Sequence, residues 1–95
     1  MSLQFEWDEN KAASNVEKHG VTFEEASSAF ADPLAAIFDD EAHSHEELRE
    51  ILVGNSVDGR LVLVSFTERG GAIRIISARR ANKRERSDYE RRQGE

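Results

Sequence analysis

Three short apolar segments separated by glycine turns most constrain the second half of the chain. Ile51-Leu52-Val53, Leu61 to Phe66 and Ile73 to Ser77 are set apart by Asp58-Gly59 and Gly70-Gly71. This spacing predicts successive antiparallel strands joined by tight hairpins, because a two-residue I′ turn needs positive φ at both central positions. Leu61 to Phe66 is nearly all apolar, the pattern of a central strand covered on both faces. Leu34 to Phe38 reads as an earlier strand, and the acidic stretch Asp39 to Glu47 as a loop.

The first half follows another period. Phe5-Glu6-Trp7 alternates as a short strand. Asp8 is placed to N-cap a helix through Lys18, with Ala12, Ala13 and Val16 as a narrow apolar stripe and Gly20 as its stop. Thr22-Phe23-Glu24-Glu25 has the form of a capping box. The helix it opens puts Phe23, Ala26, Ser27 and Phe30 on one face and ends at Asp32-Pro33. Asn82 and Glu85 repeat the box before a last, basic helix. That helix has almost no apolar stripe, only Tyr89 with Ala81 nearby, and is expected on the surface or against a partner. The chain therefore reads as one α+β domain over residues 1–95: a short N-terminal strand, two helices, an antiparallel meander of about four strands, and a basic C-terminal helix.

A net charge of −6 hides a polarity. From Arg69 onward nine basic residues face four acids, whereas residues 1–68 hold four basics and fifteen acids. Eight of the nine are arginine, whose planar fork grips phosphate at two points. The split points to a polyanion-binding end on an acidic body; the alternative is a solvated face with ion pairs to the acidic half. No apolar run approaches the ~20 residues of a membrane helix, and no signal-peptide pattern is visible. The absence of cysteine excludes disulfide and thiol chemistry and fits a cytoplasmic protein.

Arg79-Arg80 follow the last strand directly, where two neighbouring guanidiniums are candidates to clamp a phosphate. Arg74 lies on the same strand. Arg69 sits at the neighbouring hairpin, so antiparallel pairing puts it and Arg79 at opposite strand ends. His19, beside Lys18 at the end of the first helix, is a candidate general acid or base; its alternative is a cap that binds the last helical carbonyls. Glu17 carries the same ambiguity. His43 and His45, with Glu46 and Glu47, have metal-like spacing, but in a loop and with no assured third ligand. A solvated pair is expected there, with no metal site and no cofactor. Trp7 and Phe5 are candidates to stack on a base, with core packing the alternative and the better reading for Phe5. Gly70-Gly71 lacks the spacing and lysine of a phosphate-binding loop.

Phe5-Glu6-Trp7-Asp8, Lys11, Asn15, Lys18-His19-Gly20-Val21, Phe23-Glu24-Glu25-Ala26, Gly59-Arg60, Ile73-Arg74-Ile75-Ile76-Ser77-Ala78-Arg79-Arg80-Ala81, Glu85-Arg86 and Tyr89-Glu90 together resemble the BrnT toxin family. The resemblance runs from about residue 5 to residue 91. It implies a RelE-like fold and the toxin of a type II toxin–antitoxin module, a metal-independent endoribonuclease that inhibits translation. It also implies a BrnA-like antitoxin with a DNA-binding domain, operator DNA bound through that antitoxin, and a toxin dimer within the complex. The family's recurring polar positions fall on Lys18, His19, Arg69, Arg79 and Arg80, the implied catalytic set. The residues themselves make Arg74, Arg79, Arg80 and Trp7 the expected RNA contacts, and the bare final helix makes Lys83, Arg84, Arg86 and Tyr89 the expected antitoxin contacts. Guanidiniums stay charged and are poor bases, so His19 is the best acid or base, with Lys18 or Glu68 weaker. The competing reading is a non-catalytic nucleic-acid- or protein-binding module built on the arginine-rich end, with salt-sensitive binding and no cleavage.

Overall fold

The structure, a computed structural model, describes residues 3–45 and 47–93. The elements are β1 (Phe5–Glu6), α1 (Glu9–His19), α2 (Phe23–Ser28), β2 (Ala36–Asp39), β3 (Glu50–Asn55), β4 (Leu61–Arg69), β5 (Ala72–Arg80) and α3 (Lys83–Gln93). A 3₁₀ turn at Ala29–Ala31 prolongs α2, and another at Glu41–His43 interrupts the acidic loop. The strands form one sheet in the order β1-β5-β4-β3-β2. β2 to β5 are the expected meander, β4 is central, and β1 pairs parallel to β5 through Phe5 and Ile73.

The core lies on one face of this sheet. Val21, Phe23, Ala26 and Ala29 from the helical layer meet Leu52, Val62, Val64, Phe66, Ile75 and Ala78 from the strands. Alternate positions of β4 supply Val62, Val64 and Phe66, as a period of two requires; on β5 a bulge opposite Ser65 and Phe66 shifts the alternation, so that Ile75 and Ala78, three positions apart, share the core face. Phe30 stands edge-on to both Phe5 and Phe66, with ring centroids 5.1 and 5.0 Å away. Burying side chains of this size gives roughly 1.5–3 kcal/mol each. The other face, here the open face, carries Ile51, Leu63, Ser65, Ser77 and Arg79 by the same register.

Several local expectations change. Asp8 caps α1 by accepting from the Asn10 and Lys11 amides, and Gly20 closes it with a bond to Val16 O. Of the expected stripe, Ala12 packs against the core, but Ala13 and Val16 are exposed, Val16 by 45 %, and the buried residue of α1 is Asn15. The reason is polar. β1 pairs only with Ile73 and Arg74, so at Ala78 the side of β5 turned away from β4 has no strand beside it. Asn15 Oδ1 accepts from Ala78 N at 3.0 Å, and its Nδ2 donates to Ala78 O at 2.8 Å and Val21 O at 2.9 Å. One side-chain amide thus acts as a strand partner, which alanine or valine could not do.

The first capping box is half formed. Thr22 Oγ1 accepts from Glu25 N at 3.0 Å, but the Glu25 carboxylate turns away to Ser56 and Arg60. At Asp58-Gly59 only the glycine has positive φ, at 76°. Ser56 N donates to Arg60 O at 2.8 Å, which closes a three-residue loop in place of the I′ turn. Gly70 and Gly71, at φ 59° and 83°, make the two-residue turn between Arg69 and Ala72. β2 begins at Ala36 because Asp32 holds the preceding residues in a turn, accepting from Leu34 N at 2.9 Å.

α3 is better anchored than its sequence suggests. Tyr89 and Ala81 pack with Leu61 in a small second cluster beside Val53 and Leu63. The Tyr89 hydroxyl lies 3.0 Å from Leu34 O and 3.2 Å from Asp32 Oδ2. Tyr89 therefore packs toward the fold, 8 % exposed.

Candidate active site

β5 presents its arginines alternately. Arg79 lies opposite Leu63 on the open face, and Arg80 lies opposite Val62 on the core face. Successive strand residues point to opposite sides, so Arg79 and Arg80 do not clamp one phosphate from the same side. The partner of Arg79 comes from the far end of the sequence. α1 runs beside β5, tied by Asn15 to Ala78, and this brings its last turn to Ser77. His19, Ile51, Leu63, Ser65, Ser77 and Arg79 line one cleft of about 100 Å³. A second groove of about 170 Å³ continues along α1, lined by Lys11, Ser14, Lys18, His19 and Ser77 among others. An imidazole, two ammonium groups, a guanidinium and serine hydroxyls thus border one continuous concavity.

Arg79 is held from α3. Its Nη1 and Nη2 donate to Glu85 Oε1 and Oε2, both at 2.8 Å. Glu85 also completes the second capping box, accepting from Asn82 N at 2.9 Å while Asn82 Oδ1 accepts from Glu85 N at 2.8 Å. The Arg79 guanidinium, followed by the Asn82 amide, holds the Glu85 carboxyl down at about 2, and Glu85 in turn raises Arg79. This fork-to-fork pairing is the geometry in which a guanidinium also takes phosphate.

The family model described as "Ribonuclease toxin, BrnT, of type II toxin-antitoxin system" matches residues 7–85. The chain belongs to the BrnT family. The crystal structure of the Brucella abortus ribonuclease toxin BrnT, at 1.1 Å resolution, superposes with a TM-score of 0.68 at 26 % identity, covering 86 % of this chain and 100 % of that one. No curated protein sequence matches the chain. The α+β architecture is accordingly that of a BrnT toxin, the enzyme class is ribonuclease, and a type II module implies an antitoxin partner.

The other expected site residues of this BrnT-family chain are dispersed. Arg69 lies at the far end of β4, opposite Ala72, and pairs with Glu47 at 3.1 Å. It borders a separate cleft of about 450 Å³ with His43, His45, Glu47 and Arg49. His43 Nδ1 is turned to Asp40 at 3.0 Å; Glu46 lies outside the described residues. Arg74 is occupied by Glu6 at 2.8 Å across β1 and β5. Glu68 is exposed beside Arg69, and Glu17 is exposed on α1. Trp7 is half-buried, edge-on to Phe23 at 5.9 Å, away from the cleft. Lys83, Arg84 and Arg86 are exposed on α3, and Arg86 donates to Ala81 O at 3.1 Å.

Ser65 and Ser77 on the cleft floor, and the Glu25–Arg60 pair, escaped the sequence reading as site elements. The one available signal for the serines was two hydroxyls inside otherwise apolar strands. Arg60 Nε donates to Glu25 Oε2 at 2.8 Å, its Nη2 reaches Glu25 Oε1 and also donates to Gly20 O at 3.1 Å. Arg60, then Ser56, hold the Glu25 carboxyl below its ordinary value of 4.5. Arg60 thereby ties the end of α1 to α2 and the β3–β4 hairpin, and fixes the frame that carries His19.

Proposed function

We propose that this chain is a toxin endoribonuclease that cleaves RNA without a metal ion, inhibits translation in the cytoplasm and is neutralised by a BrnA-like antitoxin. The observation that carries the reading is that His19 and Arg79 border one cleft in a chain of the BrnT ribonuclease family. Cleavage there needs four linked events. A base takes the 2′-hydroxyl proton, O2′ bonds to phosphorus, the bond to O5′ breaks, and an acid protonates O5′. The products are a 2′,3′-cyclic phosphate and a 5′-hydroxyl. His19 is our choice for proton transfer, with Lys18 second. Arg79 holds the phosphate and offsets charge that builds on its oxygens. Arg69, Arg74 and Arg80 serve, in this reading, phosphates away from the scissile one.

Purified protein should cleave single-stranded RNA in the presence of a chelator. His19→Ala and Arg79→Ala should each lower the rate by roughly 10²-fold or more, and expression alone should arrest growth. Intact RNA after incubation, with both variants indistinguishable from the parent in growth, would falsify the enzyme reading. Lys83, Arg84 and Arg86 form an exposed basic row suited to an acidic antitoxin segment. Neutralising them should weaken the toxin–antitoxin complex and spare cleavage. Light scattering on that complex tests for a toxin dimer, and operator binding should require the antitoxin.

A further inference from the structure

A second concavity beside the cleft takes no direct part in the proton transfers above. It is a groove of about 540 Å³ between α3 and the open face, floored by Phe38, Ile51, Val53 and Leu63 and rimmed by Asp88 and Arg92. Ile51 and Leu63 line this groove and the His19–Arg79 cleft alike. The two form one surface, polar and cationic at one end and apolar at the other. Phe38 is 40 % exposed, and the Arg92 guanidinium lies over its ring, 5.1 Å from the centroid.

We infer that this groove is a nucleobase subsite, which receives the base of a nucleotide adjoining the scissile phosphate and stacks it on Phe38. The inference rests on the ribonuclease reading and adds the substrate's base to it. Charge favours a base over a phosphate here. Glu85 and Asp88 border the groove and repel phosphate, whereas a neutral ring with N–H donors finds acceptors in them. Glu85 is already committed to Arg79 and Asn82, which leaves Asp88, exposed on α3, to read the base edge. An ionised carboxylate only accepts hydrogen bonds. Uracil's one ring donor, N3–H, lies between two carbonyl oxygens that the carboxylate repels, so the groove prefers a base that carries an amino group. The base takes the place that the Arg92 guanidinium holds over the Phe38 ring, and the displaced guanidinium can then cover the base.

The test uses short RNA oligomers that differ only in the nucleotides flanking the cleaved bond: guanine, cytosine, adenine, uracil or an abasic residue. In the parent protein, an abasic residue at one flanking position should raise KM by roughly 5- to 100-fold, and uracil should be the poorest base. Phe38→Ala should remove most of the penalty for the abasic residue, and Asp88→Asn should narrow the difference between uracil and the amino-bearing bases. Affinity for a non-cleavable 2′-O-methyl analogue, measured in parallel, should follow the same order. If the parent cleaves no oligomer, the enzyme reading fails, but the analogue's affinities still decide the groove. Equal abasic penalties in the parent and Phe38→Ala would overturn the subsite. So would a Phe38→Ala protein with an unaltered RNA profile and a weakened antitoxin complex, since the groove would then be a protein-docking face.

Discussion

Glu85 holds two jobs that pull on one carboxylate. It caps the first turn of α3 and occupies both outer nitrogens of Arg79. A phosphate approaching Arg79 meets that carboxylate first, so the resting protein has a neutralised arginine in its cleft. Glu85→Gln keeps a hydrogen-bonding side chain and removes the charge. We expect it to bind a non-cleavable RNA oligomer several-fold more tightly and to lose about 1 kcal/mol of stability, as anisotropy and urea titration report. Asn15 is the other residue whose side chain decides more than its own position. Asn15→Leu fits the helix but leaves the Ala78 N–H, the Ala78 carbonyl and the Val21 carbonyl without partners. At about 1–3 kcal/mol for an unsatisfied buried group, the loss should be about 3 kcal/mol, or a Tm drop of roughly 10 °C or more. An Asn15→Leu protein that melts with the parent would sink the strand-partner role.

Caps and turns show how far elements can be read from sequence. Asp8, Thr22 and Asn82 each accept the expected amide bonds, because an N-cap is a local event that needs only its own turn. What was not legible is where long-range pairing overrides the local option. Glu25 had a local partner in its capping box and took Arg60, 35 residues away, because a buried carboxylate gains more from a guanidinium than from one amide. Val16 satisfied helical periodicity, yet the bare edge of β5 called for an amide on the inner side of α1. The site was legible in kind, as arginine beside histidine. Antiparallel pairing already placed Arg69 at the strand end away from Arg79, whereas the separation of Arg80 from Arg79 by strand alternation escaped the sequence reading. α3 looked too polar to dock, but one tyrosine suffices, because Asp32 and Leu34 O offer acceptors to its hydroxyl. Removing that hydroxyl should loosen the helix without dislodging it. Tyr89→Phe should cost about 1 kcal/mol and speed hydrogen exchange in the last turn of α3 more than in β4.

At the scale of the molecule, charge sets both stability and reach. The folded state depresses four carboxyls: Glu85 through Arg79, Glu25 through Arg60, Asp32 through the Asn55 amide and Asp8 through the Lys11 amide. A depressed carboxyl adds stability above its unfolded pKa, which is lost as pH falls through the folded one. The Tm should therefore be flat from pH 7 to about 5.5, decline below the ordinary values of 4.5 for Glu and 3.8 for Asp, and fall furthest toward pH 2. Glu85→Gln should make the acid limb shallower. With a net charge of −6, the protein cannot coat RNA indiscriminately. Only Lys11, Lys18 and Arg79 line the cleft and its groove as fixed cations. With Arg69, Arg74 and Arg80 on flanking phosphates, the slope of log K against log salt should be near −4, at about −0.7 per phosphate neutralised on a single strand; a slope near −2 would confine RNA to the cleft, and one near −6 would mean the basic helix binds RNA as well. The sheet, finally, has unlike margins. On one side the outermost strand is β1, two residues long, with the Asn15 amide on β5 beyond it; on the other, among the described residues, no strand lies beyond Ala36–Asp39, where Ile37 is 54 % exposed. A body with only one margin long enough to pair can join a second copy there edge to edge, after which neither has that margin left. Self-association through this sheet is thus self-limiting: it ends at a pair and cannot propagate into a fibre.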